Sequence, residues 1–419
     1  MVRSIVRGVG GAALVLAITL ALLGWTAPAP VQAEDAAPAA RPVLPNAPTD
    51  CSDGIQPSGA AYRICMPAVW NGILVIYAHG YVAPNEPIGL PEDQLSLPGA
   101  GNIADVVNFQ GLAFAASSYR VNGLAVEEGI SDTLELLELF TRQQGRPRKV
   151  LLTGVSEGAV VTALALERYP HLFDAGLALC GPIGDFQRQV NYLGDFRVAF
   201  DAVFSDSVTI PNSAMSVDPA LLDTWESVTY STTVKPVLEA GENLTRLMGL
   251  LDATGATFVD PLTPTVTITE PTVERLLWYS VFATNDIQEK LGGQPYGNGS
   301  RVFTDVAGLP IDGLVARYTA DVTATNAISA NLETRGVLGR PFTVVHTTDD
   351  PLIPYWHATV HQSKVLANST IDPAINPYRL VTVPAYGHCA FPATPVLLAF
   401  DELIGKIDTH ELYLPLVAQ

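Results

Sequence analysis

The chain has 419 residues with 42 acidic against 23 basic side chains, a formal net charge of −19. That balance argues against nucleic acid and anionic membrane surfaces as partners and favours an uncharged substrate. The length exceeds one typical domain but suits one catalytic domain carrying an insertion.

The chain begins with Arg3 and Arg7, an apolar stretch over residues 9–23, and Val31-Gln32-Ala33, a small-x-small cleavage pattern. This predicts a signal peptide over residues 1–33, cleaved near Ala33, because the apolar stretch is short for a bilayer span. No later run is long and apolar enough to cross a membrane, so an exported protein without stable membrane insertion is expected. Residues 34–50, rich in Ala, Pro and Asp, read as a disordered leader. The four cysteines, Cys51, Cys65, Cys180 and Cys389, are even in number in a chain expected to be exported, which predicts two disulfides with three pairings open. A local bridge between Cys51 and Cys65 would close a short polar loop and pin the chain end.

The apolar run Ile73-Leu74-Val75-Ile76-Tyr77-Ala78 reads as a strand breaking into His79-Gly80-Tyr81. A helix near 102–110 and a strand over 112–117 follow. An amphipathic helix over 127–144, with Ile130, Leu134, Leu137 and Phe140 on its apolar face, comes next. Then Val150-Leu151-Leu152-Thr153-Gly154-Val155 runs into Ser156-Glu157-Gly158 and a helix that Pro170 closes. A Gly-x-Ser-x-Gly is weak by itself in a chain with 34 glycines. Set between an apolar strand and a helix, it reads as a nucleophile elbow, a sharp turn that lifts a serine hydroxyl clear of a sheet. Another strand covers 175–180. Repeated β-α units with continuous apolar strands predict an α/β fold with a mostly parallel central sheet flanked by helices.

The pattern changes over residues 185–340, where helix-like pieces such as 236–253 and 273–282 have no comparable strands between them. This reads as a largely helical inserted cap, dividing the core into residues 51–184 and 341–419. The β-α rhythm resumes with a strand at Phe342-Thr343-Val344-Val345-His346, a helix over 355–368, a strand over 378–383 and a helix over 394–407.

A serine hydroxyl needs a base within hydrogen-bond reach and an acid that orients the base. Downstream of Ser156 lie Asp349-Asp350-Pro351-Leu352-Ile353-Pro354 and then Gly387-His388, in the order Ser, Asp, His. Together with His79-Gly80-Tyr81, the serine elbow and the cap-sized gap after Cys180, these motifs resemble the α/β-hydrolase superfamily over nearly the whole mature chain. The resemblance implies Ser156 as nucleophile, His388 as general base and then acid, Asp350 as orienting acid, and an oxyanion hole from the backbone N–H groups of Tyr81 and Glu157. Asp350 is preferred to Asp349 because family members commonly place the acid just before an apolar turn of this Pro-x-x-Pro kind. The pair His388-Cys389 also resembles tannases and feruloyl esterases, in which the cysteine after the histidine bridges to one beside the serine. Here Val155 precedes the serine. Cys180 is the nearest equivalent, which implies Cys180–Cys389 and leaves Cys51–Cys65 as the second bridge.

Other candidates have plainer readings. His357 and His361 lie four apart but lack the glutamate of a zinc motif, and read as helix-surface histidines. His79 reads as a shaper of the oxyanion loop, Asp132 as structural. Ser117 and Ser118 lack flanking glycines. The expected function is an exported serine hydrolase acting on small or polymeric carboxylic esters through an acyl-enzyme, with no cofactor and no metal. A peptidase or acyltransferase on the same triad is the alternative, and a non-catalytic binding protein a further one. Oligomeric state is not legible.

Overall fold

Eight strands make one sheet: β1 (Asp50–Ile55), β2 (Ala61–Met66), β3 (Ile73–Ala78), β4 (Ala113–Ser117), β5 (Lys149–Val155), β6 (Ala175–Leu179), β7 (Phe342–Asp349) and β8 (Tyr378–Tyr386), in the spatial order β1-β2-β4-β3-β5-β6-β7-β8. The computed structural model describes residues 50–257, 266–368 and 378–409; the expected signal peptide, and the expected leader apart from Asp50, lie outside them. From β4 to β8 neighbouring strands are parallel, whereas β1 pairs with β2 and β2 with β4 antiparallel. With helices on both faces this is the α/β-hydrolase fold.

Every residue of β3, β4 and β6 is buried, which is why these strands read as unbroken apolar runs rather than alternating ones. Alternation decides which face each side chain enters. Leu74, Ile76 and Leu152 join a core with α2 (Val126–Gln144) and α3 (Glu157–Arg168). Ile73, Val75, Leu151 and Val345 join a second core, with α1 (Ile103–Phe109) and the C-terminal helix on the opposite face.

The segment between Cys51 and Cys65 is not a polar loop but the β1–β2 hairpin, with Cys51 directly opposite Cys65 and disulfide-bonded to it. The sequence Asp-Cys-Ser-Asp-Gly-Ile of β1 is largely exposed and carries no burial pattern. Cross-strand pairing and the disulfide hold it, so periodicity alone could not reveal it.

Between β6 and β7 the chain leaves the sheet and builds helices: α4 (Phe186–Val203), α5 (Leu244–Thr254), α6 (Val266–Phe282), α7 (Thr284–Leu291) and α8 (Val322–Asn331), with a π-helical stretch over Trp225–Val234. Phe196, Phe200, Trp225, Leu250 and Leu276 are buried in the same apolar cluster as the first face of the sheet. The expected single helix over 236–253 is broken around a 3-10 turn at Gly241–Asn243, where glycine disfavours helix continuation. Beyond β7 come α9 (Trp356–Asn368) and, after β8, α10 (Ala393–Thr409).

His357 and His361 on α9 are fully buried, contrary to the surface reading. His357 Nδ1 accepts from the Gly184 amide at 3.1 Å, and its Nε2 pairs with Gln189 Oε1 at 2.9 Å. Burial pushes His361 down to about 3, so the ring is neutral. A helix that packs one face under an overlying segment buries whatever lies on that face, which the local pattern of α9 did not show.

Candidate active site

Ser156 is the single residue between the end of β5 and the start of α3, with φ 55° and ψ −117°. A serine in that left-handed region is strained and persists only where its surroundings over-determine it. Both flanking glycines are sterically required. A Cβ on Gly158 would land on the Ala78 carbonyl, and one on Gly154 on the Gly158 carbonyl. The Ser156 amide donates to Leu179 O at 2.9 Å, tying the turn to β6.

His388 lies in the loop after β8, with Nε2 2.9 Å from Ser156 Oγ and Nδ1 2.8 Å from Asp350 Oδ2. Asp350 is fully buried, and its Oδ1 accepts from the amides of Leu352 and Ile353, each at 2.9 Å. A carboxylate can only accept, so the Asp350 bond keeps the proton on Nδ1 and leaves Nε2 able to take the hydroxyl proton. Asp349 is exposed and accepts from the Thr348 hydroxyl at 2.6 Å. The register shift in the β7–β8 ladder between Thr347 and Asp349 ends regular pairing just before Asp350. Gly387 N donates to Asp349 O at 3.0 Å and Thr347 Oγ1 to Gly387 O at 3.0 Å, locking the acid loop to the histidine loop. Cys389 is bridged to Cys180 at the end of β6, so a disulfide anchors the histidine loop to the strand beside the elbow.

The backbone N–H groups of Tyr81 and Glu157 have no protein acceptor among the described residues. Around Tyr81 the chain is held from three sides. His79 Nδ1 donates to Gly80 O at 2.7 Å, Gly80 N donates to Gln94 Oε1 at 2.7 Å, and Gln94 Nε2 donates to Tyr81 O at 3.3 Å. Because a trans peptide sets its C=O and N–H on opposite sides, pinning the Gly80 carbonyl from His79 fixes the direction of the Tyr81 N–H. His79 is buried with its ring stacked on Tyr119 at 4.0 Å, and burial lowers its pKa and keeps it neutral. Nothing in the sequence singled out Gln94, which ends a 3-10 turn (Glu92–Gln94) 14 residues past Gly80. A glutamine in so short a turn has no local signature of such a contact.

The Glu157 side chain turns away from the Ser156 hydroxyl. Its Oε1 accepts from the Ala125 amide at the start of α2 at 2.6 Å, and burial pushes its pKa up to about 8. Asp132 is buried against Arg120 and braces the loop before α2. Ser118 Oγ is spent on Tyr119 O and the Ala61 amide.

Ser156 opens on two cavities. One, of about 290 Å³, is lined by Gln94, Leu97, His388, Cys389 and Phe391; the other, of about 90 Å³, by Glu157, Phe186, Leu193, Leu352 and Ile353. Tyr81 and Tyr279 border both. Among the described residues, Cys180, His388 and Cys389 are close enough together to suggest metal ligands, but the disulfide consumes both sulfurs.

No family model and no curated protein sequence matches the chain. Among solved structures it is similar to an acylaminoacyl peptidase in complex with a chloromethyl ketone (12% identity, TM-score 0.39), over 81% of this chain but 38% of that one. An esterase of Pyrococcus furiosus (12% identity, TM-score 0.41) covers 86% of this chain and 90% of its own. The rice cell wall degrading esterase LipA of Xanthomonas oryzae (12% identity, TM-score 0.41) covers 85% and 89%.

Proposed function

We propose that the protein is an exported serine hydrolase that cleaves carboxylic esters through an acyl-enzyme. The observation that carries this reading is the hydrogen-bonded line Ser156–His388–Asp350, with two unspent backbone amides beside the serine. In the first step Ser156 Oγ bonds to the ester carbon while its proton passes to His388 Nε2. The oxyanion lies between the Tyr81 and Glu157 amides. Collapse breaks the bond to the alcohol oxygen, which takes the proton from His388. Water then attacks the acyl-enzyme, gives its proton to His388, and releases the acid as the proton returns to Ser156.

Among the described residues no Asp, Glu, Lys or Arg lines the larger cavity, which supports an uncharged leaving group there, whereas Glu157 and Asp286 line the smaller one. Two disulfides and the leader sequence support export, and no helix among the described residues is long and apolar enough to cross a membrane. The helical segment between β6 and β7 serves as the cap, since Phe186, Leu193 and Tyr279 from it line the space over Ser156.

The test is a panel of p-nitrophenyl esters with peptide substrates beside it, together with fluorophosphonate labelling. Ester turnover and a label on Ser156, both lost in Ser156→Ala with unchanged circular dichroism, are expected. A variant retaining wild-type esterase activity, or turnover of the peptides alone, would refute the reading.

A further inference from the structure

The two cavities on which Ser156 opens differ about threefold in volume, 290 Å³ against 90 Å³, and of the two His388 lines only the larger. In acylation His388 must hand its proton to the leaving oxygen, so the alcohol lies in the larger cavity and the acyl group in the smaller. The inequality then sets the shape of the substrate. At roughly 15 Å³ for each water-sized group, the acyl side holds about six non-hydrogen atoms and the alcohol side about nineteen.

The acyl side ends in a wall. Val190 and Leu193 of α4, with Tyr279, Ala283 and Ile287 of the α6–α7 segment, line the smaller cavity and also a separate one of about 60 Å³, and so stand between the two. Met215, Pro295 and the buried Arg197 line the space beyond. Polar groups on the acyl side are committed. Gln189 Nε2 donates to Leu352 O at 3.0 Å, Asp286 accepts from the Leu124 amide at 2.7 Å and pairs with Lys290 at 2.9 Å, and Glu157 accepts from the Ala125 amide. An acyl chain therefore meets carbon at its far end, and a chain longer than the pocket has to push packed side chains off their rotamers.

The alcohol side is aromatic, with Tyr77, Tyr81, Tyr279 and Phe391 in its lining beside Leu97 and Pro98. The Tyr77 hydroxyl donates to Gln94 O at 2.8 Å and that of Tyr81 to Phe282 O at 3.2 Å, while the Gln94 side chain is held between Gly80 and Tyr81. With these polar groups spent, the walls offer mainly carbon, and aromatic walls favour a ring that can stack or set its edge against them. We infer that the substrate is an ester of a short-chain acid, of two to about six carbons, with a large uncharged alcohol built on aromatic rings. One water hydrolyses it to the free alcohol and the short-chain acid. The inference rests on the serine-hydrolase reading.

Two measurements test it. The first compares kcat/KM for 2-naphthylmethyl propanoate and ethyl 2-naphthylacetate, isomers that carry the same ring and the same two-carbon tail on opposite sides of the ester. Wild type should prefer the propanoate by at least about tenfold; a ratio at or below one overturns the inference. The second follows kcat/KM along the p-nitrophenyl esters from acetate to decanoate. Wild type should peak at or below hexanoate and fall at least about tenfold by decanoate. Leu193→Ala and Ile287→Ala, which each trim a half-buried side chain from the wall, should move the peak to longer chains by about two to four carbons, since the space beyond holds about four more groups. Turnover still rising at decanoate in wild type, or a peak unmoved in both variants with unchanged circular dichroism, overturns it as well. If no ester is turned over and Ser156 takes no fluorophosphonate, the hydrolase reading fails and takes the inference with it; a labelled Ser156 with the isomer preference reversed rejects the inference alone.

Discussion

Replacing Glu157 with glutamine isolates the energetic consequence of placing a buried acid directly after Ser156. Its carboxyl is buried, and burial raises its pKa to about 8 from the ordinary 4.5, partly opposed by the Ala125 amide and Lys290. Below pH 4.5 the group is protonated whether the chain is folded or not. Between 4.5 and 8 the unfolded chain loses the proton while the folded chain keeps it, so the folded state binds more protons and stability falls as pH rises. At 1.36 kcal/mol per unit, the loss between pH 5 and pH 8 is about 3 to 4 kcal/mol. In Glu157→Gln the amide keeps an acceptor for Ala125 N and has nothing to ionise, so this part of the slope should vanish. Urea unfolding of both proteins at pH 5, 6.5 and 8 measures it. The variant should gain on the wild type steadily across that range, and parallel stability curves would refute the buried, protonated state of Glu157.

Asp350→Asn should lower kcat by about 10³- to 10⁴-fold because an amide can present its NH₂ to Nδ1 and favour the wrong tautomer, whereas Asp349→Asn should stay near wild type; a larger loss at Asp349 reverses the assignment. Gln94→Leu should lower kcat by roughly tenfold or more with little change in KM and no change in melting temperature, since it releases the peptide that presents the Tyr81 N–H; a rise in KM alone would place Gln94 in substrate binding instead. Breaking Cys180–Cys389 opens a link spanning 209 residues, which the loop-entropy model values at about 5 kcal/mol. Mild reduction should therefore lower activity before the fold melts, followed by esterase assay beside circular dichroism, and full activity in protein shown by mass to lack this bridge would reject its role in holding His388.

The strands and the serine elbow were legible because their causes are local. A strand buried on both faces must be apolar at every position, and a turn in which one backbone passes over another must have glycine at the points of contact, as Gly154 and Gly158 do. The chain order of Ser156, Asp350 and His388 was likewise visible, as was the even cysteine count. The edge strand β1, the burial of His357 and His361, the clamp of Gln94 on Gly80, and the burial of Arg197 were not. Each depends on what another part of the chain brings against it: a hairpin partner, an overlying loop, a neighbouring turn, a second helix. A residue's type and its near neighbours set its backbone preference and its chemistry, but burial and hydrogen-bond partners come from segments tens to hundreds of residues away. Sequence by itself therefore determined the layered fold and the residue types able to do the chemistry; only the tertiary structure decided that His388 meets Ser156 across 232 positions and that a cation lies buried behind the apolar wall of the site.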